Sequence, residues 1–95
     1  MILARNARIG RLELDIIARR GDLLIICEVR SRSTRSLLSP ARSFDAAKIA
    51  RVRRAALRWR RRAGLDHLGL RLDAAAVRVD PIAGDAWVEY YPGAL

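Results

Sequence analysis

The segment "LELDIIARRGDLLIICEVR", Leu12 to Arg30, is the most apolar part of the chain, yet its strands carry Glu13, Asp15 and Glu28. Leu, Ile and Val on both sides of a turn at 20–22 predict a β-hairpin with strands over residues 8–19 and 22–30. An even-numbered turn centred between Arg20 and Gly21 places Glu13 opposite Glu28. One face is then wholly apolar and is the expected core face: Leu12, Leu14, Ile16, Ala18, Leu23, Ile25, Cys27 and Val29.

The three carboxylates fall together on the other face of this hairpin, at the end away from the turn. A one-residue slip would mix the two faces and is strongly disfavoured. Like charges opposite each other destabilise a sheet, so something positive must compensate. Two alternatives stay open at this point. One is an ion-pair network with Arg30 or a helix arginine, and the other is a divalent ion such as Mg²⁺, which favours carboxylate oxygens.

The rest of the chain predicts one helix and two further strands. A basic loop, "SRSTRSLLSPARS", covers residues 31–43, and it is long enough to be either functional or a simple mobile connector. Asp45 as N-cap and Gly64 as the residue after the C-cap indicate a helix over 46–62. Strands follow over 70–79 and 86–91. The order β-β-α-β-β predicts a small mixed α/β domain spanning residues 1–95.

Composition points to a polyanionic partner. The 95 residues carry a net charge of +9, nearly all of it from arginine, and 52% are hydrophobic, which is enough for one core. A strongly basic small domain favours nucleic acid. No apolar run reaches the roughly 18 residues of a membrane helix and nothing resembles a signal peptide, so we expect a cytoplasmic protein without a membrane partner. The lone Cys27 forms no disulfide and is expected to be buried.

The arginines of the helix and the loop are the candidate phosphate contacts. Such contacts position the nucleic-acid backbone and carry no sequence readout. The alternative for the helix is an ordinary solvated face. The candidates are Lys48, Arg51, Arg54 and Arg58 on the helix, and Arg32 and Arg35 in the loop.

Several segments, in order, resemble the YraN family of endonuclease-like bacterial proteins. That family typically reads ILARN, then E-x-D in an apolar strand, and later a strand ending in E-V-K. The counterparts here are Ile2–Asn6, Glu13-Leu14-Asp15 and Glu28-Val29-Arg30. The basic segment from Lys48 and "LRLDAAAV" resemble the family's helix and its next strand. The family is related by fold to the PD-(D/E)xK nucleases, so the resemblance implies a restriction-endonuclease-like α/β fold.

The resemblance also implies a site. Asp15 and Glu28 would bind the catalytic Mg²⁺ or Mn²⁺, Glu13 would assist, and the Val29 carbonyl would lie within reach of the ion. DNA is the favoured partner, and a homo-oligomer is compatible with this interpretation. Asp73, on the third predicted strand, is a further candidate that would otherwise cap or pair with an arginine.

The sequence departs from the family pattern in three places. Arg30 stands where the family has a lysine, and arginine stays protonated, so it can hold a phosphate but cannot act as a general base. Leu12 replaces a glycine. The family's N-terminal helix is expected to be missing or to lie upstream of a misassigned start. Two functions therefore remain: a Mg²⁺-dependent endonuclease, or a non-catalytic nucleic-acid-binding module. A third is a structural or interaction protein whose carboxylates only form ion pairs.

Overall fold

The computed structural model describes residues 1–33 and 45–95; the side chains of residues 32 and 33 are not part of this description. These residues form a five-stranded sheet and one α-helix. The element order is β1 (Ile2–Ile9), β2 (Leu12–Arg20), β3 (Leu23–Ser33), α1 (Ala46–Arg62), β4 (Gly69–Val79) and β5 (Ala86–Tyr91). The chain is thus mixed α/β, as the sequence predicts.

The element order differs from the prediction at the N-terminus. A single strand over 8–19 was expected, but Ile9 pairs with Leu12 across a two-residue turn, so β1 and β2 form a hairpin. Gly10, with φ of +61°, takes the first turn position, as in type II′ hairpins. Arg5, Asn6 and Arg8 are exposed, and their polarity hides the strand from the sequence pattern because edge strands tolerate charge.

The strands lie in the sheet in chain order, β1-β2-β3-β4-β5. β3 and β4 are parallel along eleven paired positions, from Leu23–Gly69 to Ser33–Val79, and the other neighbouring pairs are antiparallel. A parallel pair requires a long crossover, and α1 lies in this one. β3 continues to Ser33, so residues 31–33 are strand and not the start of the predicted loop. The remainder of that loop lies outside the described residues.

The helix begins and ends where its capping residues predict. The Asp45 side chain accepts a hydrogen bond from the Lys48 backbone amide at 2.7 Å, which satisfies one of the free amides of the first turn. At the other end Gly64 has φ of +70°, and its amide and that of Leu65 donate to Arg61 and Arg60 carbonyls. This is a Schellman-type ending, which stops the helix after Arg62.

The helix packs on the face of the sheet that also carries the carboxylates, which corrects the expected core face. The core cluster combines Ile17, Leu24 and Ile26 with residues of α1, whereas the other face was expected to form the core. Both faces are apolar in the middle of this hairpin, so alternation alone does not decide which one the helix covers. Ile25 and Cys27, on the other face, are also buried.

Candidate functional site

Asp15 and Glu28 meet where β2 and β3 part. Regular pairing between the two strands runs from Arg20–Leu23 to Ile16–Cys27 and stops there. At the next position the Asp15 amide donates to Glu28 Oε2 at 3.0 Å, and the Val29 amide donates to Asp15 Oδ2 at 2.8 Å. Each carboxylate thus bonds to the backbone of the other strand. The two acidic groups lie side by side, and the predicted convergence of Asp15 and Glu28 is confirmed.

The predicted partner of Glu28 is wrong by two residues. The turn consists of Gly21 and Asp22, with φ of +58° at Gly21, and not of Arg20 and Gly21. The shift is even, so it does not by itself move a residue to the other face. Because of the shift, Asp15 takes the position opposite Glu28 that Glu13 was expected to occupy.

The strand is irregular at Asp15. In the β1–β2 register Arg5 pairs with Ile16 and Ala7 with Leu14, so Asn6 and Asp15 lie between these two pairs. Asn6 has φ of +51°, the left-handed conformation that asparagine tolerates better than most residues. Leu14 and Ile17 belong to the same core cluster although they are three residues apart. The inside–outside alternation of β2 therefore changes between Leu14 and Ile17, the stretch that contains Asp15.

Glu13 does not join the pair. It is exposed, and its partner across the hairpin is Arg8 of β1. Within residues 1–33 and 45–95, no group of three or more His, Cys, Asp or Glu side chains is arranged to hold a metal ion. In the part of the chain that the structure describes, the carboxylates brought together here are those of Asp15 and Glu28.

Burial makes Glu28 a weaker acid than an exposed glutamate. The residue is 3% exposed, and this desolvation is the largest cause that raises its pKa. The hydrogen bond from the Asp15 amide opposes the shift, and the Asp15 charge adds to it. The charges of Lys48 and Arg30 lower the pKa but do not cancel the effect of burial. A buried carboxylate of this kind gains from a cation placed beside it.

Lys48 belongs to the surroundings of Glu28, which the sequence did not reveal. It lies in the first turn of α1 and is half-buried, and its charge acts on Glu28 along with that of Arg30. Arg30 is half-buried on β3, two residues beyond Glu28. Two cationic side chains, those of Lys48 and Arg30, therefore act electrostatically on Glu28.

Asp73 lies on the opposite face of the sheet. In the β3–β4 register Cys27 pairs with Asp73 and Glu28 pairs with Ala74, and neighbouring positions of a strand point to opposite faces. The fully buried Asp73 carboxylate accepts from Arg71 Nε at 2.9 Å and Nη2 at 3.0 Å, from the Gly93 amide at 2.7 Å, and from the Tyr90 hydroxyl.

This network gives Asp73 a structural role. Burial would raise the pKa of Asp73, but the bonds from Arg71, Tyr90 and Gly93 together lower it below its usual value. Asp73 thus joins the end of the chain to β4. The pairing with an arginine that the sequence left open for Asp73 is confirmed, and the partner is Arg71, two residues earlier on the same strand and hence on the same face.

Cys27 lies between the two carboxylate regions. It is 6% exposed, and burial, followed by the charges of Asp73, Glu28 and Asp15, raises the pKa of its thiol to about 11. The expected burial of Cys27 is confirmed, and its thiol is protonated at neutral pH and not poised as a nucleophile.

The basic candidates divide into two groups. Arg51, Arg54 and Arg58 are exposed on α1 and line a groove against the β1–β2 turn. Arg11, which sequence reasoning missed, lines the same groove from the turn. The backbone of Arg32 belongs to β3, opposite Arg78, and Arg35 lies outside the described residues.

No helix in the described ranges combines the length and the apolar character that crossing a bilayer requires.

The architecture and the paired carboxylates define a small basic α/β protein with an acidic site at the point where two strands separate. Residues 1–82 match the profile of the uncharacterised protein family UPF0102. The chain belongs to this family, which is the YraN family.

Individual relatives agree with this assignment. A UPF0102 protein of Sorangium cellulosum is 47% identical over 99 residues, covering 99% of this chain and 67% of the relative. One from Moorella thermoacetica is 38% identical over 94 residues, covering 99% of this chain and 78% of the relative. One from a Nocardioides species is 34% identical over 93 residues, covering 98% and 74%.

Proposed function

We propose that this protein binds nucleic acid, DNA in the first instance, and hydrolyses its phosphodiester bonds with a divalent ion held by Asp15 and Glu28. The observation that carries the proposal is the meeting of these two carboxylates where β2 and β3 part. The family resemblance adds the restriction-endonuclease-like fold as part of the same proposal. The net charge of +9 supplies the attraction to a polyanion.

The donor set suits Mg²⁺. This ion is usually held by one or two carboxylates, with water and substrate phosphate completing its coordination, so the lack of a third acidic group is no obstacle. The hydrogen bonds to the pair use Asp15 Oδ2 and Glu28 Oε2, and none to Oδ1 or Oε1 is found among the described residues. We assign Asp15 Oδ1 and Glu28 Oε1 to the ion in this proposal, and a cation there would favour the charged form of Glu28, whose pKa burial raises.

The protein side chains then have distinct tasks. When bound, Mg²⁺ supplies a more acidic water and withdraws charge from the phosphate under attack. Lys48, whose charge acts on Glu28, orients that water or holds a phosphate oxygen. Arg30 stays protonated and therefore binds and stabilises phosphate charge without accepting a proton.

A nuclease assay with Mg²⁺ or Mn²⁺ on single-stranded and branched DNA tests this proposal. Wild-type protein should cleave at least one substrate, and Asp15→Asn or Glu28→Gln should lower the rate by more than about 100-fold, because an ion contributes several kcal/mol to the transition state. DNA binding should persist or improve in both variants, since each removes a negative charge. Cleavage that survives in both variants would exclude the pair as metal ligands.

The second candidate is a binding module without catalysis, and Arg30 is the observation that favours it. If catalysis is absent because Arg30 replaces the family's lysine, wild-type protein should bind DNA without cutting it. The variant Arg30→Lys should then gain metal-dependent cleavage. The variant Arg30→Gln serves as the control that removes the charge. If the wild-type protein cleaves DNA and Arg30→Lys leaves the rate unchanged, another residue supplies the positive charge that the reaction needs. Lys48→Gln is then the next variant to test.

The third alternative is a purely structural network at the carboxylate pair. What favours the metal proposal over it is that Asp15 and Glu28 lie beside each other and both accept hydrogen bonds from backbone amides.

A further inference from the structure

A groove with an apolar floor and a cationic rim separates the β1–β2 turn from α1. Its volume is about 240 Å³. The floor contains Ile9 and Leu12 of the hairpin and Ala55 of the helix, and the rim carries Arg11, Arg51, Arg54 and Arg58. We call this feature the arginine groove.

The rim cations converge from two elements. Positions 51, 54 and 58 are three and seven residues apart, so their side chains leave α1 on one side. Arg11 reaches the same place because the turn comes close to the helix. A Cβ atom on Gly10 would lie 3.9 Å from Arg58 Nη1, and the φ of +61° at Gly10 fixes the turn in this position.

These arginines lack acidic partners in the part of the chain that the structure describes. The ion pairs measured there involve Arg60, Arg71 and Arg78, none of which lines the groove. Four positive charges around one small cavity repel each other unless an anion lies among them. The guanidinium fork matches the oxygens of a phosphate group, and the apolar floor suits a sugar carbon frame better than water.

The carboxylate pair and the groove lie near different positions along α1. Lys48 acts on Glu28 near the start of the helix, and Arg58 lies ten positions further along the chain. At a rise of 1.5 Å per residue this separation is about 15 Å along the axis. Arg51 and Arg54 fill the interval, so the positive charge runs from one site to the other.

We propose that the arginine groove holds a backbone phosphate of the bound nucleic acid, several nucleotides away from the bond at Asp15 and Glu28. This inference rests on the proposed function and specifies its substrate: a strand long enough to reach both sites, not a dinucleotide. The groove grips the strand without reading its bases, since contacts of this kind go to phosphate and sugar.

The experiment measures the affinity of a dinucleotide and of a long single-stranded DNA by fluorescence anisotropy, for wild-type protein and single variants. Arg11→Ala and Arg58→Ala should weaken binding of the long strand about fivefold to tenfold and leave the dinucleotide unaffected. Each should also reduce the slope of log affinity against log salt by about 0.7, the contribution of one contact to a single strand.

Arg53→Ala is the matched control. Arg53 is exposed on α1 but does not line the groove, so the variant removes the same charge from the same helix. It should change affinity less than about twofold. In an NMR titration with the long strand, the Gly10 amide should shift in wild-type protein and not in Arg11→Ala.

The outcomes separate the two proposals. If wild-type protein binds the long strand but Arg11→Ala and Arg58→Ala behave like Arg53→Ala, or the Gly10 amide does not respond, the groove proposal is overturned and the proposed function stands. If wild-type protein binds no nucleic acid even at low salt, the proposed function fails and the groove proposal fails with it.

Discussion

Glu28 and Asp73 are both buried carboxylates on adjacent strands, and the structure treats them in opposite ways. Asp73 accepts from a guanidinium, a hydroxyl and a backbone amide, and its pKa is lowered. Among the described residues, Glu28 accepts from one backbone amide beside a second acidic group, and its pKa is raised. The sheet lies between them, since one belongs to each face.

The difference shows that burial of a carboxylate does not by itself tell a functional group from a structural one. Both groups are less than 4% exposed, so solvent access does not distinguish them. What distinguishes them is the number of donors that the fold supplies. A carboxylate that the protein satisfies fully contributes to stability, whereas one that it satisfies in part can still take a cation or a substrate group.

The largest expected effect concerns the stability supplied by Asp73. Asp73→Ala should lower the free energy of unfolding by about 3 kcal/mol, because it leaves the Arg71 charge and the Tyr90 hydroxyl without their shared acceptor. Urea denaturation measures this loss. The control Asp66→Ala removes an exposed ion pair with Arg60 and should cost about 0.5 kcal/mol. Equal losses in the two variants would remove the distinction drawn for Asp73.

A smaller effect on stability is expected when a divalent ion binds to Asp15 and Glu28. Mn²⁺ at ten times its dissociation constant should stabilise the wild-type protein by about 1.4 kcal/mol, and raise Tm by about 6 °C. Asp15→Asn should abolish this rise in Tm. Asp73→Asn should retain it from a lower starting Tm. A rise in Tm that depends on Asp73 and not on Asp15 would reverse the roles of the two faces.

The smallest effect is the pH dependence that Asp73 contributes. Because its pKa is lower in the folded than in the unfolded protein, its stabilisation is present above the ordinary value of about 3.8 and is lost as the pH falls through the lower, folded value. The stability difference between wild-type protein and Asp73→Asn should therefore narrow below about pH 4. Urea midpoints measured across this range test it, and a constant difference would contradict the lowered pKa.

Local chemistry is the part of the fold that the sequence predicts best. The Asp45 cap and Gly64 fix the helix bounds because each acts within one turn of the chain. The meeting of Asp15 and Glu28 follows from the hairpin, and the error of two residues in register only changes which acidic residue lies opposite Glu28. The register itself depends on which two residues form the turn, and both Arg20-Gly21 and Gly21-Asp22 fit the pattern.

Tertiary contacts account for what the sequence did not predict. The face on which α1 packs is not decided by a hairpin that is apolar on both sides. The partners of Asp73 come from residues up to 20 positions away, and the charge of Lys48 comes to act on Glu28 only through the crossover between β3 and β4. Arg11 lines the groove from the β1–β2 turn. The sequence did not predict this turn because the polar residues of β1 break the strand pattern.

The buried position of Cys27 makes its thiol a built-in chemical probe of how often the centre of the sheet opens. It is the single cysteine of the sequence, and it sits at the centre of the sheet with its neighbours Glu28 and Asp73 facing opposite ways. Because its side chain is 6% exposed, a thiol reagent modifies it only when the packing around it opens. The labelling rate, compared with and without DNA or Mn²⁺, therefore reports how firmly each ligand holds the middle of the sheet closed.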